Sequence, residues 1–126
     1  MITIKKNPLL GSGFDTVHTF EGWKTAFITS APQYGQLQVF KRHLLTDETF
    51  VLLRGNATIY TLDTQNELVE TPMVADTIYV VEKATWHHVQ VQENAVLFVV
   101  ENSNTAKDNT EQMTLEQWKH SKEITK

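Results

Sequence analysis

Short apolar runs broken by turn residues, not a helical repeat, set the pattern of this chain. Such runs lie near 14–20, 24–30, 36–43, 48–54, 57–62, 67–70, 77–81, 87–92 and 96–101. Between them stand Glu21-Gly22, Ala31-Pro32 to Gly35, Gly55-Asn56, Asp63 to Asn66, Thr71-Pro72, Lys83-Ala84 and Glu93-Asn94. Many short strands with turns every 8–12 residues or so predict an antiparallel sandwich or barrel. No helical pattern alternates with them, which argues against a parallel α/β sheet. The tail differs. Residues 101–112 carry only Ala106 as an aliphatic side chain and read as a polar surface loop. Thr114-Leu-Glu-Gln117 then has capping-box spacing, which predicts one short helix over about 115–122. Leu115 and Trp118 share a face of that helix and should dock on the β body as a structural lid.

Strand parity points to the candidate chemistry, because residues two apart share a face. In the segment ending at His43, Leu37, Val39, Lys41 and His43 lie on one side, with Gln36 and Gln38 on the other. In the segment starting at His87, that histidine shares its face with Val89 and Val91, leaving His88, Gln90 and Gln92 opposite. Two histidines from distant parts of the chain thus fall on apolar, inward faces. Burying such groups unpaired is costly, so a barrel interior that holds them needs a reason. Glu48 opens a strand with two apolar faces. It points inward if Phe50 and Leu52 do, and otherwise it is a solvated loop acid. His88 should face away from the interior as a surface or interface residue, unless the turn before it twists it inward. His18 and His120 read as solvated, and Tyr60 and Tyr79 cannot be assigned to a face.

Composition narrows the classes. The 126 residues suit a single domain, with 40% hydrophobic and 21% charged residues, too apolar for disorder. The absence of cysteine excludes disulfides, thiol nucleophiles and zinc–thiolate sites, and makes a reducing cytoplasm the expected location. The longest apolar run, Ala95 to Val100, falls far short of the roughly 20 residues that span a bilayer. No apolar core of signal-peptide length follows Met1-Ile-Thr-Ile4, so no secretory leader is expected. Consequently Asn56-Ala-Thr58 reads as a hairpin turn and not as a glycosylation acceptor. Eleven Lys+Arg against fifteen Asp+Glu give a net charge of −4. The basic residues are scattered, with Lys5-Lys6 and Lys41-Arg42 the only adjacent pairs, which argues against a nucleic-acid partner.

These residues together resemble the cupin superfamily, whose first motif runs Gly, five residues, His, one, His, three or four, Glu, six, Gly. Here Gly35, Lys41, His43, Glu48 and Gly55 keep every spacing, with lysine in place of the first histidine. In the second motif only His87 survives. Asp76, Glu82, Ala84 and Val91 stand where that motif has Gly, Pro, Gly and Asn. The resemblance covers about residues 35–101, and within the superfamily the chain is most similar to small single-domain bacterial cupins.

The resemblance implies an all-β fold, a cupin-type jelly-roll barrel with one short C-terminal helix, and a small molecule bound in the barrel. It also implies a divalent metal (Fe, Mn, Ni or Zn) on His43, Glu48 and His87, a facial set suited to oxygenase, isomerase or hydrolytic chemistry. Lys41 departs from the ligand set and could pair with Glu48. The alternative is a metal-free protein, a small-molecule or sugar binder or sensor, in which Lys41 and His43 hold an anionic or carbonyl-bearing ligand. Phe50 and Trp86 are candidates for the pocket mouth. No catalytic residue can be named. A homodimer is expected, paired through a sheet edge at Phe14–Phe20 or Trp23–Ile28.

Overall fold

A computed structural model describes residues 1–7, 10–106 and 108–124. The apolar runs become strands β1 (Phe14–Phe20), β2 (Trp23–Thr29), β3 (Val39–His43), β4 (Glu48–Arg54) and β5 (Ala57–Leu62). They continue as β6 (Leu68–Pro72), β7 (Ile78–Val81), β8 (His87–Val91) and β9 (Val96–Asn102). A single 3₁₀ turn at Pro32–Tyr34 precedes β3, so Gln36 to Gln38 lie outside the strand. The strands form two five-stranded antiparallel sheets, β1-β2-β9-β4-β7 and β10-β3-β8-β5-β6, with β10 at Thr110–Thr114. Ile28, Phe50 and Leu97 from the first sheet meet Ile59, Val89 and Val91 from the second in one buried core. Alternation puts these residues there, since each strand keeps every second side chain inward. No helix among the described residues is long and apolar enough to cross a membrane.

The polar stretch 101–112 is not a loop throughout. Glu101 and Asn102 extend β9, and Thr110 to Gln112 begin β10, whose register sets Thr110 opposite His43 and Met113 opposite Phe40. β10 is an edge strand, where a polar sequence is the expected protection against pairing with another chain. Hydrophobic patterning finds strands with a buried face, so this one was invisible to it. β2 is also not an edge, because β1 and β9 flank it, leaving β1 as the exposed margin of that sheet.

Helix α1 runs Leu115–Ile124. Its start is a reciprocal capping box: the Gln117 N–H donates to Thr114 Oγ1 at 3.1 Å, and the Thr114 N–H donates to Gln117 Oε1 at 2.8 Å. Leu115 and Trp118 pack on Phe40, Leu37 and Leu62, a second small cluster on the outer side of β3. Trp118 meets Phe40 edge-on at 5.9 Å and donates Nε1–H to the Asn66 carbonyl at 3.1 Å. The helix therefore covers the outer face of the sheet whose inner face carries the histidines.

Candidate metal centre

Five strands bring titratable groups to one end of the interior. His43 closes β3 and His87 opens β8, both in the second sheet. Glu48 opens β4 in the first sheet, where it lies directly across from Glu101 of β9. Glu101 in turn lies across from Lys24 of β2. Glu48 and His87 are 6% and 7% exposed, so neither relies on solvent for its partners. The ligand atoms of His43, Glu48 and His87 all lie within 4.8 Å of one another. Glu48 Oε1 is 3.4 Å from His43 Nε2 and 3.3 Å from His87 Nε2.

The far side of each imidazole fixes its tautomer. His87 Nδ1 lies 3.0 Å from the Thr85 carbonyl, which can only accept, so Nδ1 carries the hydrogen. Thr110 donates its hydroxyl hydrogen to the Thr105 carbonyl at 2.7 Å. Its oxygen is thereby left to accept from His43 Nδ1 at 3.0 Å. Both Nε2 atoms then turn lone pairs toward a carboxylate, an arrangement that requires protons or a cation between them. Anchoring the second ring nitrogen on an acceptor is also how metal-binding histidines are oriented. Two imidazoles and a carboxylate suit first-row divalent ions. The donor set therefore fits a metal.

The electrostatics agree with a site built for positive charge. Burial alone would raise the Glu48 carboxyl, but protons shared with His43 and His87, together with a hydrogen bond from Glu101, outweigh it and hold Glu48 well below the usual carboxylate range. Glu101 shows the opposite. Burial, with the neighbouring Glu48 charge, pushes it up to about 9, against the pull of Lys24. Tyr34 is raised above the ordinary phenol range by burial and by the charges of Glu48 and Glu101, so its hydroxyl keeps its proton.

These groups floor a cavity of about 690 Å³. Lys41 and Phe50 also line it, and Phe50 sets its edge against the His87 ring at 6.3 Å. Lys41 is exposed, and the ion pairs of Glu48 are with the two histidines and not with this lysine. Trp86 lies elsewhere. It belongs to the cluster under α1, with the Arg42 guanidinium 4.3 Å from its ring centre, because the residue next to an inward His87 must face outward. His88, whose place was open between the surface and the pocket, lines the cavity. Its Nε2–H donates to the Gly35 carbonyl at 2.7 Å, since the segment after the Pro32–Tyr34 turn folds over that side of β8. Burial holds His88 below the ordinary histidine value. His18 and His120 are exposed; His18 rests on Trp23, and His120 lies 3.8 Å from Glu123.

Glu101, Lys24, Tyr34 and Thr110 are site residues that the sequence reading missed. For Glu101 a signal was present, because Leu97, Val99 and Glu101 share one face of their strand, the same argument that found the histidines.

The sequence matches no protein-family model, and no curated protein matches it. Solved structures do. A cupin-2 domain protein from Shewanella frigidimarina superposes with a TM-score of 0.55 at 17% identity, covering 73% of this chain and 81% of that one. Pac13, a nucleoside dehydratase, gives 0.59 at 12% identity over 89% of this chain and 92% of its own. The QdtA 3,4-ketoisomerase from Thermoanaerobacterium thermosaccharolyticum gives 0.57 at 14% identity over 69% of this chain and 63% of its own. The protein has the fold of the cupin superfamily. His43, Glu48 and His87, the ligands that the sequence resemblance implies, lie close together in this fold.

Proposed function

We propose that the protein binds a small polar molecule in the barrel at a divalent metal held by His43, Glu48 and His87, and acts on it as an oxygenase- or isomerase-type enzyme. The observation that carries this reading is the convergence of two Nε2 lone pairs on a buried carboxylate, with both Nδ1 hydrogens committed elsewhere. The metal, when bound, supplies a Lewis acid with open positions. Glu48 contributes the negative charge that holds it, while Thr85 and Thr110 keep the rings aimed. Phe50 packs against His87 and keeps water from that side of the ring. Tyr34, protonated at Oη, is a hydrogen-bond donor to a substrate oxygen. Lys41 at the rim favours a substrate with an anionic or carbonyl group. The ligands of two structural relatives, uridine with Pac13 and TDP with QdtA, support a small-molecule role.

Tag-free protein should contain a stoichiometric divalent metal by elemental analysis. After chelation it should take up one Mn(II), Ni(II) or Zn(II) by calorimetry, and His43→Ala or His87→Ala should weaken this by about 100-fold or more. No metal in the protein and no binding by calorimetry would overturn the reading. Lys41 and His43 would then stand as holders of an anionic ligand in a metal-free binding protein. We also propose a homodimer through the β1 edge, where Phe20 is 54% exposed and the neighbouring Trp23 of β2 is 44% exposed; a mass near 14 kDa by light scattering would contradict it.

A further inference from the structure

The position that carries the first histidine of the motif holds Lys41, which is exposed at the cavity rim and makes no ion pair with Glu48. A three-ligand centre would follow if nothing replaced it. We propose that Glu101 replaces it, making the centre a set of two histidines from one sheet and two glutamates from the other. This rests on the metal reading above.

Three observations carry it. Glu101 is 7% exposed and sits at the cavity floor on the inward face of β9, beside Glu48 in the strand register. Its Oε2 is 3.6 Å from His43 Nε2, close to the 3.3 and 3.4 Å that separate Glu48 from the two histidines. Donor atoms about 2.1 Å from a shared ion lie roughly 3.0–3.4 Å apart, whether the geometry is octahedral or tetrahedral. The two oxygens of Glu101 also divide their work. Oε1 faces Lys24 Nζ at 3.5 Å, and Lys24 is held in turn by Thr105 Oγ1 at 3.0 Å. That leaves Oε2 for the centre, with the outer oxygen fixed by a charged partner, as ligating carboxylates commonly are. Charge supports the same set. Two buried carboxylates in contact are unfavourable alone, and a divalent ion between them neutralises both. The set has only nitrogen and oxygen donors, which suits ions such as Mn(II), Fe(II) and Co(II).

The test uses Co(II) alone on chelator-treated protein, followed by calorimetry and by the visible spectrum. Wild type should bind one Co(II). Glu101→Gln should bind it at least about tenfold more weakly and with an altered spectrum, while Lys41→Ala should change neither. An affinity loss without a spectral change would make Glu101 an outer partner and overturn the proposal. So would equal affinity and an equal spectrum, with the metal reading left intact. Failure of wild type to bind Co(II) would overturn both. Should Glu101→Gln not fold, a crystal structure of the wild-type Co(II) complex decides. A Glu101 oxygen about 2.0–2.2 Å from the ion upholds the assignment, and one beyond about 3 Å refutes it.

Discussion

The two ends of the barrel interior are made from the same strands. Along the inward face of β4 the order is Leu52, Phe50, Glu48; along β8 it is Val91, Val89, His87; along β9 it is Leu97, Val99, Glu101. On each strand the face begins as buried aliphatic and ends as a titratable group that stays buried. The apolar end draws its stability from area removed from water, which needs only shape and volume. The polar end removes charge from water, and this is tolerable only because every group finds a partner; no buried side-chain polar atom among the described residues lacks a hydrogen bond. One end holds the fold, and the other spends that stability on a site.

Breaking the apolar end should cost most. Leu97 is fully buried, so Leu97→Ala should destabilise by about 3 kcal/mol in denaturant titrations, with metal affinity unchanged. Trp118→Ala, on the outer side of the same scaffold, should cost about 2 kcal/mol because its ring is only half-buried. It too should leave the site intact; an unchanged melting temperature with lost metal binding would assign α1 to the site.

The polar end should reveal itself through pH in chelator-treated protein. Glu48, held low, adds stability above the ordinary carboxylate value of 4.5 and loses it as pH falls below that value. Glu101 has the opposite sign. Raised to about 9, it keeps a proton that the unfolded chain releases above 4.5, so its cost grows as pH rises toward 9. Glu101→Gln should therefore raise the melting temperature at pH 8 and hardly change it at pH 4. An equal shift at both would show that Glu101 titrates normally.

The smallest effect concerns the turn that delivers His87. Ala84 adopts φ 63° there, and its N–H donates to the His43 carbonyl at 2.6 Å. Ala84→Gly relieves the left-handed strain but loosens the unfolded chain, for a net gain of about 0.5–1 kcal/mol by thermal melts.

That turn also shows what was legible in the sequence. Asp76 and Ala84 stand at the two glycine positions of the second motif, and both have left-handed backbone, at φ 61° and 63°. Left-handed backbone favours glycine, so the conformation at both positions suits the glycines of a motif that the residues themselves do not spell. In the first motif the glycine survives for a steric reason. A Cβ on Gly55 would lie 2.5 Å from the Ala95 Cα and the Asn94 carbonyl oxygen. Parity located His43 and His87 because their strands alternate cleanly. It could not orient Glu48 within a strand apolar on both faces. β10 was lost for a different reason: Thr110 lies on a polar edge strand with no buried stripe to betray it, yet its hydroxyl orients His43. Alternation from an inward His87 turns Trp86 outward and so argues against a place at the pocket mouth, whereas for His88 it names the side of the sheet and not what folds over that side.

The central claim is that both imidazoles carry hydrogen at Nδ1 and offer Nε2 to a cation. Long-range ¹⁵N–¹H correlation spectra of the histidine rings, recorded with and without Zn(II), test it directly. The account predicts Nδ1–H on His43 and His87 in the Zn(II) form, with both Nε2 resonances moved by the metal. Rings that keep hydrogen on Nε2 in the presence of Zn(II), with no shift at either nitrogen, would contradict it.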